Sequence, residues 1–403
     1  MQRPWLIVAL LLAAATVAAI ATGYDLLWKS AYFLLLVIAL SWLWTWLNVR
    51  QIEVRRTGPE QRAQIGQTIS ERIIVRNTGW LPKPWIEIRD HSTLPGHHAS
   101  MAINLPAHER RSWRVRTPCT RRGRFTLGPL TVVASDPVGL FRRERQLTGS
   151  GTLLVYPRTV PLPNFTIPGG ELSGESRVKT RTHAVTPNAA GIREYVPGDS
   201  FNRIHWPSTA RTGRIMVKEF ELDPSSEVWL VIDMEARVQA GEGDESTEEY
   251  GVTIAASIGR RLVEMNRSVG LIAAGETHEV VHTDRGDRQL QKLLETLALV
   301  RATGRASLAE VIAAESSRFG RNSTLVVITP STEQSWVDAL QHQTHRGVRA
   351  VAVVLEPATF GGSSDILPIL GTLAIADIRT FLIKRGDDLN QALTGGRRQR
   401  LAS

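Results

Sequence analysis

Five consecutive residues, His278-Glu279-Val280-Val281-His282, spell the H-E-x-x-H pattern of zinc hydrolases. On a helix the i and i+4 imidazoles would sit about 6 Å apart on one face, able to share one zinc while the glutamate serves as base. Here the segment lies between Gly275 and Gly286, holds two valines and runs into Thr283-Asp284-Arg285. That composition reads as a short strand or hairpin arm, on which the two histidines are separated by about 13 Å. A membrane-tethered zinc hydrolase using His278, Glu279 and His282 therefore stands as the alternative reading of the chain. His97-His98, with His91 nearby, occupy a Pro/Gly loop and read as surface histidines. Cys119, the single cysteine, follows Pro118 without an evident histidine base and reads as a buried or incidental thiol. No G-x-S-x-G, P-loop or G-x-G-x-x-G phosphate cradle occurs, so neither ATP binding nor any cofactor is expected.

The elements that must position these residues are legible in outline. With 403 residues, 42% hydrophobic and 22% charged, the chain has the composition of a folded protein of two or three domains. Residues 5–22 and 31–47 are uncharged apolar runs near the roughly 20 residues that cross a bilayer, and Trp and Tyr cluster at their ends. They read as a transmembrane hairpin, residues 1–49. A cleaved signal peptide is the competing reading of the first run, because Ala19-Ile20-Ala21 resembles a cleavage site. Arg50, Arg55, Arg56 and Arg62 follow the second run, whereas the connection offers Lys29 balanced by Asp25. Cationic bias thus places the body on the cytoplasmic side of the inner membrane.

Charge is uneven: residues 1–50 carry +2, 51–225 carry +11 and 226–403 carry −4, making up the net +9. A basic portion beside anionic lipid is favoured by up to about 1 kcal/mol per nearby Lys or Arg. Nucleic-acid binding is not expected, because the basic residues are spread along strands without a reading motif. From residue 50 to 157, Ile86 and Ile88 alternate with Glu87 and Arg89, and Trp113 and Val115 with Arg114 and Arg116. Period-two alternation with frequent turn residues predicts a small β-sandwich, immunoglobulin-like in pattern. Residues 158–192 are rich in Pro, Gly, Ser and Thr and read as a linker or a loop draped over the neighbouring domains. From 226 to 403 strands alternate with helices, beginning with a continuous apolar run at 228–232, which predicts a mostly parallel sheet covered by helices. Ligands of such sheets bind beyond the carboxyl ends of the strands, here the loop after Ile232.

Between the two halves, residues 193–221 read REYVPGDSFNRIHWPSTARTGRIMVKEFE. Pro197-Gly198 makes a tight turn, Asp199 is placed to cap the next short helical turn, Pro207 suits a first helical position and Gly213 a helix end. This stretch, together with GRFTLGPLTVVASDPVGLFRRER at 123–145 and LLVYP at 153–157, resembles the bacterial "domain of unknown function 58" family. The resemblance covers essentially everything after residue 50. It implies a membrane-anchored protein whose C-terminal half is a von Willebrand factor A-like α/β domain, to be added to the two N-terminal transmembrane helices and the immunoglobulin-like β-sandwich read from the residues. It also implies a role beside MoxR-type AAA+ ATPases in complex assembly or envelope maintenance. In magnesium-holding domains of that type the first loop reads Asp-x-Ser-x-Ser; here it is Asp233-Met234-Glu235-Ala236-Arg237, with both serines replaced and a fixed positive charge introduced. A metal-free domain is expected, with weak cation binding at Asp233 and Glu235 as a further alternative. Arg193, Tyr195, Gly198, Asp199, Arg203, Trp206, Arg211 and Lys218 form either a docking surface or an interdomain clamp with Tyr195 and Trp206 buried. The function expected is that of a non-enzymatic scaffold or adaptor, with residues 158–225 holding the linker and signature.

Overall fold

The computed structural model describes residues 4–58, 61–147, 150–167, 189–195, 204–220, 227–321 and 323–394, with side chains undescribed at 189–193 and 218–220. The chain divides into two compact units, residues 1–158 and 159–403.

The first unit opens with helices α1 (Pro4–Thr22) and α2 (Asp25–Val49), both long and apolar enough to cross a membrane. They are joined by Gly23 and Tyr24 alone, a shorter connection than the residues 23–30 left between the two apolar runs; Trp28, Lys29 and Ser30 are already helical. The tightness has a local cause: Gly23 adopts φ 68°, a left-handed conformation that closes α1, and its amide donates to Ala19 O at 2.9 Å. Ten strands come next: β1 (Ile52–Thr57), β2 (Arg62–Gln64), β3 (Thr68–Asn77), β4 (Lys83–Asp90), β5 (Met101–Leu105), β6 (Arg110–Pro118), β7 (Gly123–Leu127), β8 (Leu130–Ser135), β9 (Arg142–Leu147) and β10 (Gly151–Tyr156). The antiparallel sheets β1-β3-β6 and β5-β4-β8-β9 face each other across Ile73, Val75, Ile86, Ile88, Ile103, Leu105 and Val132. A third sheet, β2-β10-β7, closes over a smaller cluster containing Ile69, Leu127, Leu153, Val155 and Cys119.

Helix α2 is welded to this sandwich. Val49 and Ile52 join its core, and Lys83, 1% exposed, donates from Nζ to Leu47 O at 2.5 Å. An ammonium at the carboxyl end of a helix meets the negative end of the helix dipole and an orphan carbonyl together. Burial lowers the Lys83 pKa from its ordinary value.

The second unit begins with residues read from sequence as a linker or a draped loop. Leu162 and Phe165 are buried in the core of the α/β fold, with Val160 and Ile167 packed beside them; an apolar residue every few positions sufficed to dock a segment whose composition reads as loop. Strand β11 (Ala189–Glu194), helix α3 (Trp206–Thr212) and strand β12 (Met216–Phe220) then form a small antiparallel arm. The remaining elements are β13 (Val228–Ile232), α4 (Thr247–Glu264), β14 (Val269–Ala274), β15 (His278–Asp284), α5 (Asp287–Leu299), α6 (Leu308–Ala314), β16 (Thr324–Thr329), α7 (Ser335–His345), β17 (Arg349–Leu355), α8 (Leu367–Ile375), β18 (Arg379–Ile383) and α9 (Leu389–Thr394). They build a six-stranded sheet in the order β15-β14-β13-β16-β17-β18, parallel except for the antiparallel edge strand β15. Val228, Leu230 and Ile232 point to a core shared with α4, α5 and α9, and Trp229 and Val231 to one shared with α6, α7 and α8. Two covered faces explain the unbroken apolar runs, each fully buried Leu, Ile or Val contributing ~1.5–3 kcal/mol.

Candidate functional site

Strand order reverses at β13, with β14 on one side and β16 on the other. This switch point is where open α/β sheets present a crevice beyond their carboxyl ends. Asp233 stands there, 4% exposed. Its amide donates to Ile328 O at 2.9 Å, prolonging the ladder to β16. Thr329 Oγ1 donates to Asp233 Oδ2 at 2.6 Å, and the Glu235 amide to Oδ1 at 3.1 Å. The loop is braced further by Gln239 Nε2 donating to Asp233 O at 3.0 Å, and by reciprocal bonds from Gly304 N to Met234 O and Ala236 N to Gly304 O, both 2.9 Å. Gly304 is required by close approach, since a Cβ there would lie 2.2 Å from Ala274 O.

Burial raises the Asp233 carboxyl to about 6, opposed by the Thr329 and Glu235 hydrogen bonds and reinforced by the charges of Glu235 and Glu333. Glu235, 1% exposed, is gripped by Arg237, whose Nε donates to Oε1 at 2.6 Å while the guanidinium reaches solvent. The donor set does not fit a magnesium ion: both Asp233 oxygens are engaged, Glu235 already holds a cation, and the positions of the two hydroxyl ligands carry Glu235 and Arg237. Thr329, Gln239 and Gly304 escaped sequence reasoning; Thr329 was hidden at the end of an apolar strand.

His278 and His282 lie on strand β15, as their valine-rich context predicts, so they lack the helical spacing for one shared zinc. His278 Nε2 pairs instead with Glu315 Oε1 at 2.9 Å.

His97 corrects the sequence reading. It is no surface residue: its side chain is 0% exposed, at the centre of a cluster drawn from four strands and a loop. Its Nε2 lies 3.1 Å from Glu71 Oε1 and 3.0 Å from Asp90 Oδ2, and its Nδ1 2.9 Å from Thr117 Oγ1. Arg56 completes the arrangement, 3.2 Å from Glu71 and 2.9 Å from Asp90. Burial disfavours the imidazolium, but hydrogen bonds to Asp90 and Glu71, and their charges, prevail and raise the His97 pKa to about 9. The cluster is then two cations against two anions, the balance that full burial requires.

Of the signature residues, Gly198, Asp199 and Arg203 lie outside the described residues. Arg193 pairs with Val217 and Lys218 with Ile192 in the β11/β12 ladder, and the Tyr195 amide donates to Ile215 O at 2.9 Å. Helix α3 carries the expected punctuation, with Pro207 in its first turn and Gly213 left-handed at φ 67°, while His205 caps it by accepting from the Ser208 amide. The buried tryptophan of the clamp reading is not found: Trp206 is 68% exposed and Arg211 is also exposed.

Sheet order, helix layers and β-sandwich define a two-unit protein in which an α/β fold follows a β-rich unit bearing two apolar helices. Residues 191–387 match the family described as "Protein of unknown function DUF58". It is 28% identical over 181 residues to the Uncharacterized protein YeaD of Bacillus subtilis, covering 44% of this chain and 43% of that one. It is 28% identical over 200 residues to the Uncharacterized protein Rv1480 of Mycobacterium tuberculosis, covering 48% and 61%. The chain thus spans about half the length of the curated relatives it matches. Among solved structures, the CARDB domain of PF1109 from Pyrococcus furiosus is similar over 26% of this chain and 86% of that one, at 14% identity and a TM-score of 0.20, too weak a likeness to bear on function.

Proposed function

We propose that this chain is a non-enzymatic, membrane-anchored scaffold or adaptor whose von Willebrand factor A-like α/β domain recruits a protein partner. The partner implied by the family resemblance is a MoxR-type AAA+ ATPase, in complex assembly or envelope maintenance. Helices α1 and α2 span the inner membrane as a hairpin, and the arginines after α2 hold the immunoglobulin-like sandwich and the α/β domain on the cytoplasmic side. The observation that supports this reading best is the exposure of Trp206, at 68%, on a capped helix within the family-matched region. A tryptophan with an exposed arginine, Arg211, on the same short helix is the composition of interface hot spots, where truncation costs about 2 kcal/mol or more of binding. The carboxylates at the switch point agree with it, since each is engaged by a group of the same loop or sheet. Binding of a purified MoxR-type ATPase to proteoliposomes bearing the full chain tests the proposal. Trp206→Ala with Arg211→Glu is expected to weaken binding at least about tenfold; equal binding by both proteins, or none by the unaltered chain, refutes it.

A further inference from the structure

Among the described residues of the first unit outside α1 and α2, the large apolar side chains that stand exposed are Trp80 at 72%, Trp85 at 69%, Met101 at 43% and Val138 at 63%. Three of these four gather at one end of the sandwich, the end that α2 enters. Trp80 sits in the β3–β4 loop, which is tied to the helix exit: the Thr78 amide donates to Gln51 O at 2.8 Å, and a Cβ on Gly79 would lie 2.2 Å from the Gln51 side chain. Trp85 follows Lys83, whose ammonium bonds Leu47 of α2. Val138 tips the β8–β9 turn, and β8 reaches that same edge, because Ala134 pairs with Ile86. Met101 lies at the other end of the sheet, opposite Ile88.

The same end is basic. Arg50 follows the helix with its guanidinium 3.5 Å from the Trp46 ring centre, Arg76 and Arg110 face each other across β3 and β6, and Arg142 and Arg143 open β9. Glu53, opposite Arg76, and Glu144, paired to Arg142, offset part of this charge.

We propose that this end of the sandwich is a lipid-binding surface, in which Trp80, Trp85 and Val138 enter the headgroup region of an anionic bilayer and the surrounding arginines meet its phosphates. The inference rests on the reading of α1 and α2 as a spanning hairpin. A helix of 25 residues is about 37 Å long against a hydrocarbon core of about 30 Å, so the exit of α2 lies at headgroup depth. The Lys83 bond and the Val49–Ile52 packing hold the sandwich there, leaving its tryptophans where indole rings partition most favourably. A protein partner on this face would have to compete with the membrane that α2 enters.

The test uses the full chain in phosphatidylglycerol/phosphatidylcholine nanodiscs, in a Cys119→Ala background, with a fluorophore at Pro82→Cys, Met101→Cys or Leu36→Cys. The probe at 82 is expected to be quenched by a headgroup spin label at least about threefold more than the probe at 101, and to lose that excess with Trp80→Ser plus Trp85→Ser or in purely zwitterionic discs. Equal quenching at 82 and 101, with the probe at 36 quenched by an acyl-chain label, overturns the surface and leaves the hairpin standing. An unquenched probe at 36 overturns the hairpin, and the surface with it.

Discussion

His97 supplies the sharpest physical test. Its side chain is fully enclosed by Glu71, Asp90 and Arg56, and its pKa is raised to about 9. Against an unfolded value of about 6.5, the raised value means that folding takes up a proton between those limits. The stabilisation is therefore complete below about pH 6.5 and is lost as pH rises through about 9. A difference of about 2.5 units corresponds to about 3 kcal/mol, or roughly two orders of magnitude in the opening equilibrium between about pH 6 and pH 9.5. Hydrogen exchange of the β3 and β6 amides in the full chain, corrected for the intrinsic rate at each pH, reads this directly. Slowly exchanging amides of β3 should lose protection about a hundredfold across that range. In His97→Gln the slope should vanish, and protection at about pH 6 should already be reduced, because Glu71 and Asp90 then share Arg56 alone. A flat profile in the unaltered protein, or the same slope in His97→Gln, refutes the assignment of a charged histidine to this cluster.

Four further outcomes are expected. Lys83→Ala removes the buried ammonium from Leu47 O and leaves a cavity, lowering the stability of the first unit by about 2–4 kcal/mol in urea unfolding followed through β4 exchange. Gly304→Ala drives a Cβ into two backbone oxygens, Ala274 O and Met234 O, and should destabilise the α/β unit by about 1–3 kcal/mol or more, read as a lowered Tm. Asp233→Asn should abolish a fall in α/β-unit stability between about pH 4 and pH 6, because the raised carboxyl favours folding below its unfolded value and loses that contribution as pH rises through the folded one. His278→Ala should leave the zinc content of the purified full chain unchanged by elemental analysis and cost the β15 edge about 1 kcal/mol, the worth of a part-buried pair between the solvent-facing His278 and Glu315.

Periodicity carried the sequence reading wherever one rule governed a segment. The apolar run at 228–232, buried at every position, and the spacing of Ile254, Ile258 and Leu262 on α4 were legible for that reason. The short α8 and α9 were not, because α8 is apolar almost throughout and α9 is six residues long, so neither shows a helical period. The cluster around His97 was missed for a different reason, although its signal is present. Glu71 occupies the inward position between Ile69 and Ile73, Asp90 continues Ile86 and Ile88, Arg56 continues Ile52 and Val54, and Thr117 continues Trp113 and Val115. Each charge looks like a fraying end of an alternation when its strand is read alone. Only the pairing of β1, β3, β4 and β6 within one sandwich brings the four together between the two apolar clusters. Along β3 those clusters are marked by Ile69 on one side and Ile73 on the other.

The buried ionic groups around His97 and at Asp233 respond to enclosure in opposite ways, and the contrast arises from who their neighbours are. In the sandwich each acid has two basic partners, so enclosure is tolerated with every charge retained and Asp90 is held below its ordinary value, burial being outweighed by His97, Ser92 and Arg56. At the switch point Arg237 spends its charge on Glu235, and Asp233 is left with neutral donors, so burial prevails and the carboxyl rises. At neutral pH Asp233 is still about nine-tenths ionised, a buried anion held by one hydroxyl and one amide. Both groups weaken their units as pH rises, yet in separate windows, about pH 4 to 6 for Asp233 and about pH 6.5 to 9 for His97. A titration that resolves the units should therefore show the α/β unit settling to a constant stability before the sandwich begins to lose its own. Coincident losses would mean that the charges are coupled or that the neighbours named here are not the ones that set them.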